Sequence, residues 1–403
     1  MDIKVALRNV FRNRRRTAFS LTVIVLGVAI LYFVLLFINE ALSSTKKSLA
    51  CESGAVQIAD ARLFDNTASG GDVLIDPVTL DRVVAMVKDD PGVIDVTWQL
   101  GFAGLIGDER GSTLLIGRGY LPCNCVNDYE CLVIDGEPLA EDASREIILG
   151  QALAEKLDVG PGDRVNIATG TVSGNFNAAS VTVVGLLTYS TETIEAQLGL
   201  VPLPFAQRLL RTDGVERILI GMDNLDEAED YAASIRQRLD AAGIPLDARA
   251  WLKLTTAYES IRTFYGAFSG LAVIAVFVLV FFSVLEVLTM SFLERTREVG
   301  TIRAFGTTRG RVFRSFLLEG VFLGVIGGLS GLAIGTIIAL VFNAVGVTWT
   351  PPGAAIPQPL RVQITAVAVL LPFFTAVAST FLSTLYPAAK NARLRIVEAL
   401  RSI

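Results

Sequence analysis

The densest group of side chains with chemistry to offer runs from Glu294 to Gly306, in which Glu294, Arg295, Arg297, Glu298 and Arg303 are interrupted and closed by Gly300 and Gly306. Glu294 stands three residues before Arg297 and four before Glu298, so on a helix charges of both signs share one face. No nucleophile stands beside a base in this run. What such a face offers is electrostatic docking, and a short rigid charged element at the end of a long apolar helix can transmit force from a soluble partner. The chain has no histidine, which excludes His-based acid–base catalysis, Ser–His–Asp triads and histidine metal sites. None of its lysines follows a glycine, so a GxxxxGK[ST] phosphate loop is absent from this sequence.

Two further carboxylates, Glu286 and Glu319, adjoin apolar runs and are functional candidates on that ground. Both lie near an interface, where solvation or pairing with Arg314 or Arg303 satisfies them. The four cysteines, Cys51, Cys123, Cys125 and Cys131, are disulfide candidates in an oxidising compartment. Cys123 and Cys125 are too close to pair comfortably, and the connectivity of the rest stays open. A four-cysteine zinc site is the alternative, although CxCx5C with a distant Cys51 is not the paired-CxxC pattern.

The elements that must position these residues belong to a membrane protein. Hydrophobic residues make up 52% of the 403, charged residues 19%, and mean hydropathy is +0.53; a soluble domain carries roughly a quarter charged residues. Four runs are long enough to cross about 30 Å of hydrocarbon as helices: residues 17–41, and then about 264–292, 315–345 and 363–386. Basic residues flank them unevenly. Lys4, Arg8, Arg12, Arg14, Arg15 and Arg16 precede the first span. Arg295, Arg297, Arg303, Arg309, Arg311 and Arg314 separate the second from the third, and Lys390, Arg393, Arg395 and Arg401 follow the fourth, whereas residues 348–358 carry none. That asymmetry predicts both termini and the charged loop on the cytoplasmic side. Residues 1–16 read as an amphipathic helix lying in the membrane interface, its arginines at anionic lipid headgroups.

Residues 42–260 then form a domain on the other side. Ala55–Ile58, Val73–Ile75, Val93–Trp98, Val165–Ala168, Val181–Leu187 and Ile218–Ile220 read as strands. Pro77–Lys88, Gly150–Leu157, Pro204–Leu210 and Leu225–Ala242 read as helices, the last capped by Asp223 or Asn224 and stopped by Gly243. Interleaved in this way, they predict a mixed sheet in two lobes. The expected fold class is thus four transmembrane helices with a large mixed α/β extracytoplasmic domain between helices 1 and 2, and residues 261–403 completing the membrane part. The third span carries Gly320, Gly324 and Gly328 on one stripe and Gly327, Gly331 and Gly335 on another, a pattern that lets helix backbones approach closely in lipid.

The run from Glu294 to Gly306 closely resembles the ERxREIGxxRAxG signature of FtsX-like ABC transporter permeases. The opening Leu7–Asn13, the glycine-rich third span, Gly150-Gln151-Ala152-Leu153-Ala154 with Gly162-Asp163, Tyr386–Ala389 and Glu398–Arg401 are similar to the same family, in the type shared by MacB efflux and lipoprotein-release (LolC/LolE) permeases. Ile396 departs from it, standing where a proline is usual. The resemblance implies a permease subunit in the bacterial inner membrane and not an enzyme, with Glu294, Arg295, Arg297, Glu298, Gly300, Arg303 and Gly306 seated on a cytoplasmic ABC ATPase dimer. It implies no cofactor in this chain, ATP and Mg being held by the ATPase. It also implies a second permease copy, identical or paralogous, and a periplasmic carrier or adaptor; membrane lipids are the remaining partner, and nucleic acid is not one. Lipoprotein or lipid-linked release is the leading expectation. The alternatives are tripartite efflux of peptides or drugs, and a sensing module that signals through an ATPase. A long hook hairpin is not evident, since Gly170–Asn175 is short and polar.

Overall fold

The computed structural model describes residues 14–65, 67–68, 73–108, 111–121, 133–139, 145–189, 192–350 and 357–393. In chain order its main elements are α1 (Arg14–Ser53), β1 (Val56–Ala59), α2 (Pro77–Val87), β2 (Val93–Gly107), β3 (Ser112–Tyr120), β4 (Val133–Gly136), β5 (Glu146–Gly150) and α3 (Gln151–Leu157). These are followed by β6 (Arg164–Gly170), β7 (Phe176–Leu187), β8 (Leu198–Pro202), α4 (Leu203–Leu210), β9 (Arg217–Met222), α5 (Ala228–Ala241) and β10 (Asp247–Ala250). The chain ends on α6 (Thr256–Glu294), α7 (Thr296–Ala304), α8 (Arg309–Val345) and α9 (Ala366–Arg393). These elements gather into two compact units. One is made of the described residues of Met1–Leu42, Arg262–Thr348 and Pro359–Ile403, the other of those of Ser43–Ile261 and Trp349–Gln358.

In the second unit a mixed sheet of ten strands is formed. At one side it is open, in the order β10-β1-β9-β2 with antiparallel neighbours. Beyond that it closes: β2 pairs with β3, β3 with β8, β8 with β5, β5 with β7, β7 with β6, and β6 returns to β2. The two expected lobes are therefore an open sheet and a six-stranded ring that share one long strand. Closure needs small residues. A Cβ on Gly104 of β2 would stand 2.5 Å from the Ala168 carbonyl oxygen of β6, so only glycine lets the two strands meet there. A single apolar core, from Val56 and Ile58 through Leu100, Ile106 and Leu115 to Val183 and Ile220, underlies both lobes.

The expected strand at Val73–Ile75 is reduced to one antiparallel bridge between Ile75 and Val215. The reason is local. Asp76 caps α2, accepting from the Val78 and Thr79 amides, and Pro77, which has no N–H for a ladder, opens the helix. The helix expected over Leu225–Ala242 begins as a 3₁₀ turn, Leu225–Glu227, with the Asn224 side chain accepting from Asp226 N; Gly243 follows its end at φ +66°. Across the domain, Asp90 accepts from the Tyr231 hydroxyl at 2.7 Å and from Arg238, which also donates to the Met86 carbonyl, tying α5 to the end of α2. Burial pushes the Asp90 carboxyl up, but the Arg238 and Tyr231 hydrogen bonds outweigh it and hold it below the usual aspartate value.

In the first unit, four helices are long and apolar enough to cross a membrane, over Thr17–Ala50, Tyr258–Glu294, Arg309–Val345 and Ala366–Arg393. The amphipathic stretch expected at 1–16 falls almost wholly outside the described residues; what is described starts at Arg14, already inside α1. The two glycine stripes of α8 face different neighbours. A Cβ on Gly320, Gly324 or Gly328 would meet α9, at Thr384, Thr380 and Phe373 respectively; one on Gly327, Gly331 or Gly335 would meet α1, at Ile24, Val28 and Tyr32. In lipid, where water drives nothing together, such close approach is the source of the packing energy. Ser379 of α9 adds a hydrogen bond to the Phe277 carbonyl of α6 at 2.8 Å.

Candidate partner-docking site

The charged run divides into two faces because of where α6 stops. Helix α6 ends at Glu294, Arg295 takes a non-helical φ of −92° and ψ of 5°, and α7 resumes at Thr296. Every fourth position then turns inward: Thr296, Val299 and Gly300 are buried, as are Ser291 and Phe292 before them. Phe292 meets Phe316 of α8 with ring centroids 4.1 Å apart, and both join Val299, Val312, Ala388 and Ala392 in one apolar cluster. Gly306 turns the chain between α7 and α8 at φ +94°, a conformation open to glycine and costly for other residues.

Of the seven residues expected to meet a partner, Glu294, Arg297, Glu298 and Gly306 are exposed and Arg303 is half-buried. Arg295 and Gly300 are buried. Arg295 does not face outward at all: its Nη1 donates to Glu319 Oε1 at 3.2 Å and Oε2 at 3.1 Å, with only 7% and 5% of the two side chains exposed. Glu319, for which Arg314 and Arg303 were the expected partners, is thus held by a residue of the charged run itself. The outer face also carries two apolar side chains that the charge pattern did not single out, Ile302 and Phe305, 52% and 87% exposed. Their signal was present as two large apolar residues in an otherwise polar run. Glu286 is exposed on α6. Cys51 lies in the last turn of α1, whereas Cys123, Cys125 and Cys131 lie outside the described residues.

An exposed face of charges and two apolar side chains, backed by a buried one, is built to bind another macromolecule and not to transform a substrate. The chain matches the FtsX-like permease C-terminal family over residues 270–396 and the MacB-like periplasmic core domain family over 17–238. It belongs to the ABC transporter permeases of this MacB-like, FtsX-like class. The lipoprotein-releasing system transmembrane protein LolC of Xylella fastidiosa is 24% identical over 337 residues, 79% of this chain and 80% of that protein. The macrolide export ATP-binding/permease protein MacB of Chlorobium luteolum is 25% identical over 417 residues; this covers 99% of this chain but 60% of MacB. An uncharacterized ABC transporter permease, YknZ of Bacillus subtilis, is 22% identical over 414 residues, 99% of this chain and 98% of its own length. Among solved structures, the extracellular domain of a YknZ transporter from Gram-positive bacteria is similar at 14% identity, covering 48% of this chain and 98% of that one, with a TM-score of 0.35.

Proposed function

We propose that this chain is a permease subunit that takes up the work of ATP hydrolysis at α7 and delivers it as movement of the inserted domain on the opposite side of the membrane. The observation that carries this reading is the outer face of α7, where Glu294, Arg297 and Glu298 stand exposed beside Ile302 and Phe305. Charge gives such a surface orientation and association rate, and a buried aromatic gives it affinity. The partner is an ATP-binding domain not contained in this sequence, on the cytoplasmic side, where the arginine-rich loops place α7. Two copies of the permease, identical or paralogous, face two such ATPases.

The cargo assigned first is a lipoprotein or other lipid-linked molecule, after the LolC relative, with efflux of peptides or drugs second, after the MacB relative that matches along nearly the whole chain. The hairpin between β6 and β7 turns within Thr171–Asn175, where Asn175 N donates to the buried Thr171 hydroxyl at 3.1 Å. It offers little surface for a carrier protein, so recruitment by a long hook is not part of this reading.

The test is charge reversal. Glu294→Arg with Glu298→Arg is expected to lower recovery of the ATPase with the affinity-purified permease at least tenfold, while the variant reaches the membrane in wild-type amount. Unchanged recovery would show that the ATPase docks elsewhere.

A further inference from the structure

We infer that the buried pair Arg295–Glu319 is the positioning device of the docking element. It fixes the angle at the joint between α6 and α7, so that a push on α7 reaches α8 and is not absorbed at the joint. The inference rests on the reading of α7 as the docking element. Arg295 is itself the joint, the single residue between α6 and α7. Its side chain does not cap α7; it runs inward to the carboxylate of Glu319 on α8, with one nitrogen engaging both oxygens. Glu319 immediately precedes Gly320, the first glycine of the stripe where α8 touches Thr384 of α9. One contact therefore links the joint to the start of the closest helix packing in this unit.

Stability alone gives no reason for charges here. A buried ion pair is commonly no more stable than well-packed apolar residues of equal volume, because desolvation cancels the attraction. What charges supply and an apolar plug does not is direction, since a guanidinium nitrogen centred on a carboxylate tolerates little displacement. Phe292 against Phe316 already fills the space beside it. The pair is thus placed to set geometry, and Arg295 and Glu319 are positioning residues that touch neither nucleotide nor cargo.

The experiment uses the full chain in nanodiscs, with spin labels introduced through unnatural amino acids at the exposed positions Thr301 and Arg311, and compares wild type with R295M/E319L and with R295E/E319R. The apolar double variant is expected to melt within a few degrees of wild type yet at least to double the width of the label–label distance distribution. The charge swap is expected to return most of the narrow distribution. In the complex with the ATPase, the apolar variant is expected to bind it within twofold of wild type and to lose its effect on hydrolysis tenfold. Equal distance widths in wild type and R295M/E319L overturn the proposal, as does a swap no narrower than the apolar variant. Should R295M/E319L fail to fold, the swap alone decides by its width. Should the wild-type chain neither bind an ATPase nor change its hydrolysis, the docking reading falls, and the distance widths still judge the joint.

Discussion

Glu195 and Glu319 are both carboxylates of which less than a tenth is exposed, one in each unit, and they are neutralised differently. In the inserted domain, Glu195 accepts from two backbone amides, Ala152 N at 3.0 Å and Tyr189 N at 2.6 Å, at the start of α3. Its own carbonyl oxygen stands 2.1 Å from where a Cβ on Gly150 would be, which accounts for the glycine that opens the Gly150–Ala154 run. In the membrane unit, Glu319 is held by a side chain, that of Arg295. Backbone donors belong to the fold and cannot be exchanged without moving an element. A side-chain partner can be exchanged, and it can swing. One carboxylate therefore fastens a rigid domain, and the other fastens a joint.

The largest effect expected breaks that contrast by mutation. Arg295→Met leaves Glu319 buried without its guanidinium and is expected to cost about 3–5 kcal/mol, whereas R295M/E319L recovers nearly all of it. Glu195→Leu is expected to cost about 2–4 kcal/mol by leaving two amides unpaired, and no second side-chain replacement repairs it. Chemical or thermal unfolding of the full chain in detergent measures all three. An apolar double variant no more stable than Arg295→Met alone would show that Glu319 depends on more than Arg295, and the contrast with Glu195 would fail.

Packing provides a second, smaller contrast, between the two stripes of α8. A Cβ on Gly331 would lie 2.7 Å from Val28 Cβ and 2.9 Å from the Val25 carbonyl oxygen, both hard to move. One on Gly328 would come no nearer than 3.0 Å, to the edge of the Phe373 ring, which can tilt. Gly331→Ala is expected to cost about 2–3 kcal/mol and Gly328→Ala less than about 1 kcal/mol. Equal losses would mean that α1 and α9 grip α8 alike.

These stripes were legible in the sequence because glycines four apart leave a mark that no other constraint produces; which neighbour each stripe meets was not, since that depends on the rotation of α8 about its axis. The four spans and the charged run were legible for a similar reason, charge and its absence being local properties. The closed ring was not. β5 and β8 are short apolar runs, Glu146–Gly150 and Leu198–Pro202, with no alternation to distinguish a strand from a buried helix turn. Strand β2 read as ending at Trp98 because Gly101 and Gly104, which make room for Glu216 and for β6, look like breakers. In the charged run, the pattern gave the residues but not their direction. Arg295 and Arg297 are alike in sequence, and only the break between α6 and α7 sends one inward and the other out.

The smallest effect argued here concerns the inserted domain and depends on pH, unlike the glycine effects. Asp90 is largely shielded between Tyr231 and Arg238. Its folded value lies below the ordinary aspartate value of about 3.9, so the unfolded chain takes up the proton first as the solution is acidified. The stability contributed by the carboxylate is therefore fully present above that ordinary value and is lost as the pH falls through the depressed one. Tyr231, pushed upward by burial and then by its bond to Asp90, keeps its proton throughout this window and remains a donor. Asp90→Asn, which keeps the shape but removes the charge, is expected to cost about 1–2 kcal/mol at neutral pH. Followed by thermal unfolding of the full chain, the gap between wild type and Asp90→Asn stays constant from pH 8 to about 5 and closes below about 4, while the gap for Gly331→Ala does not move with pH. A D90N gap that persisted unchanged to pH 3 would mean that the shape of the side chain, and not its charge, ties α5 to α2.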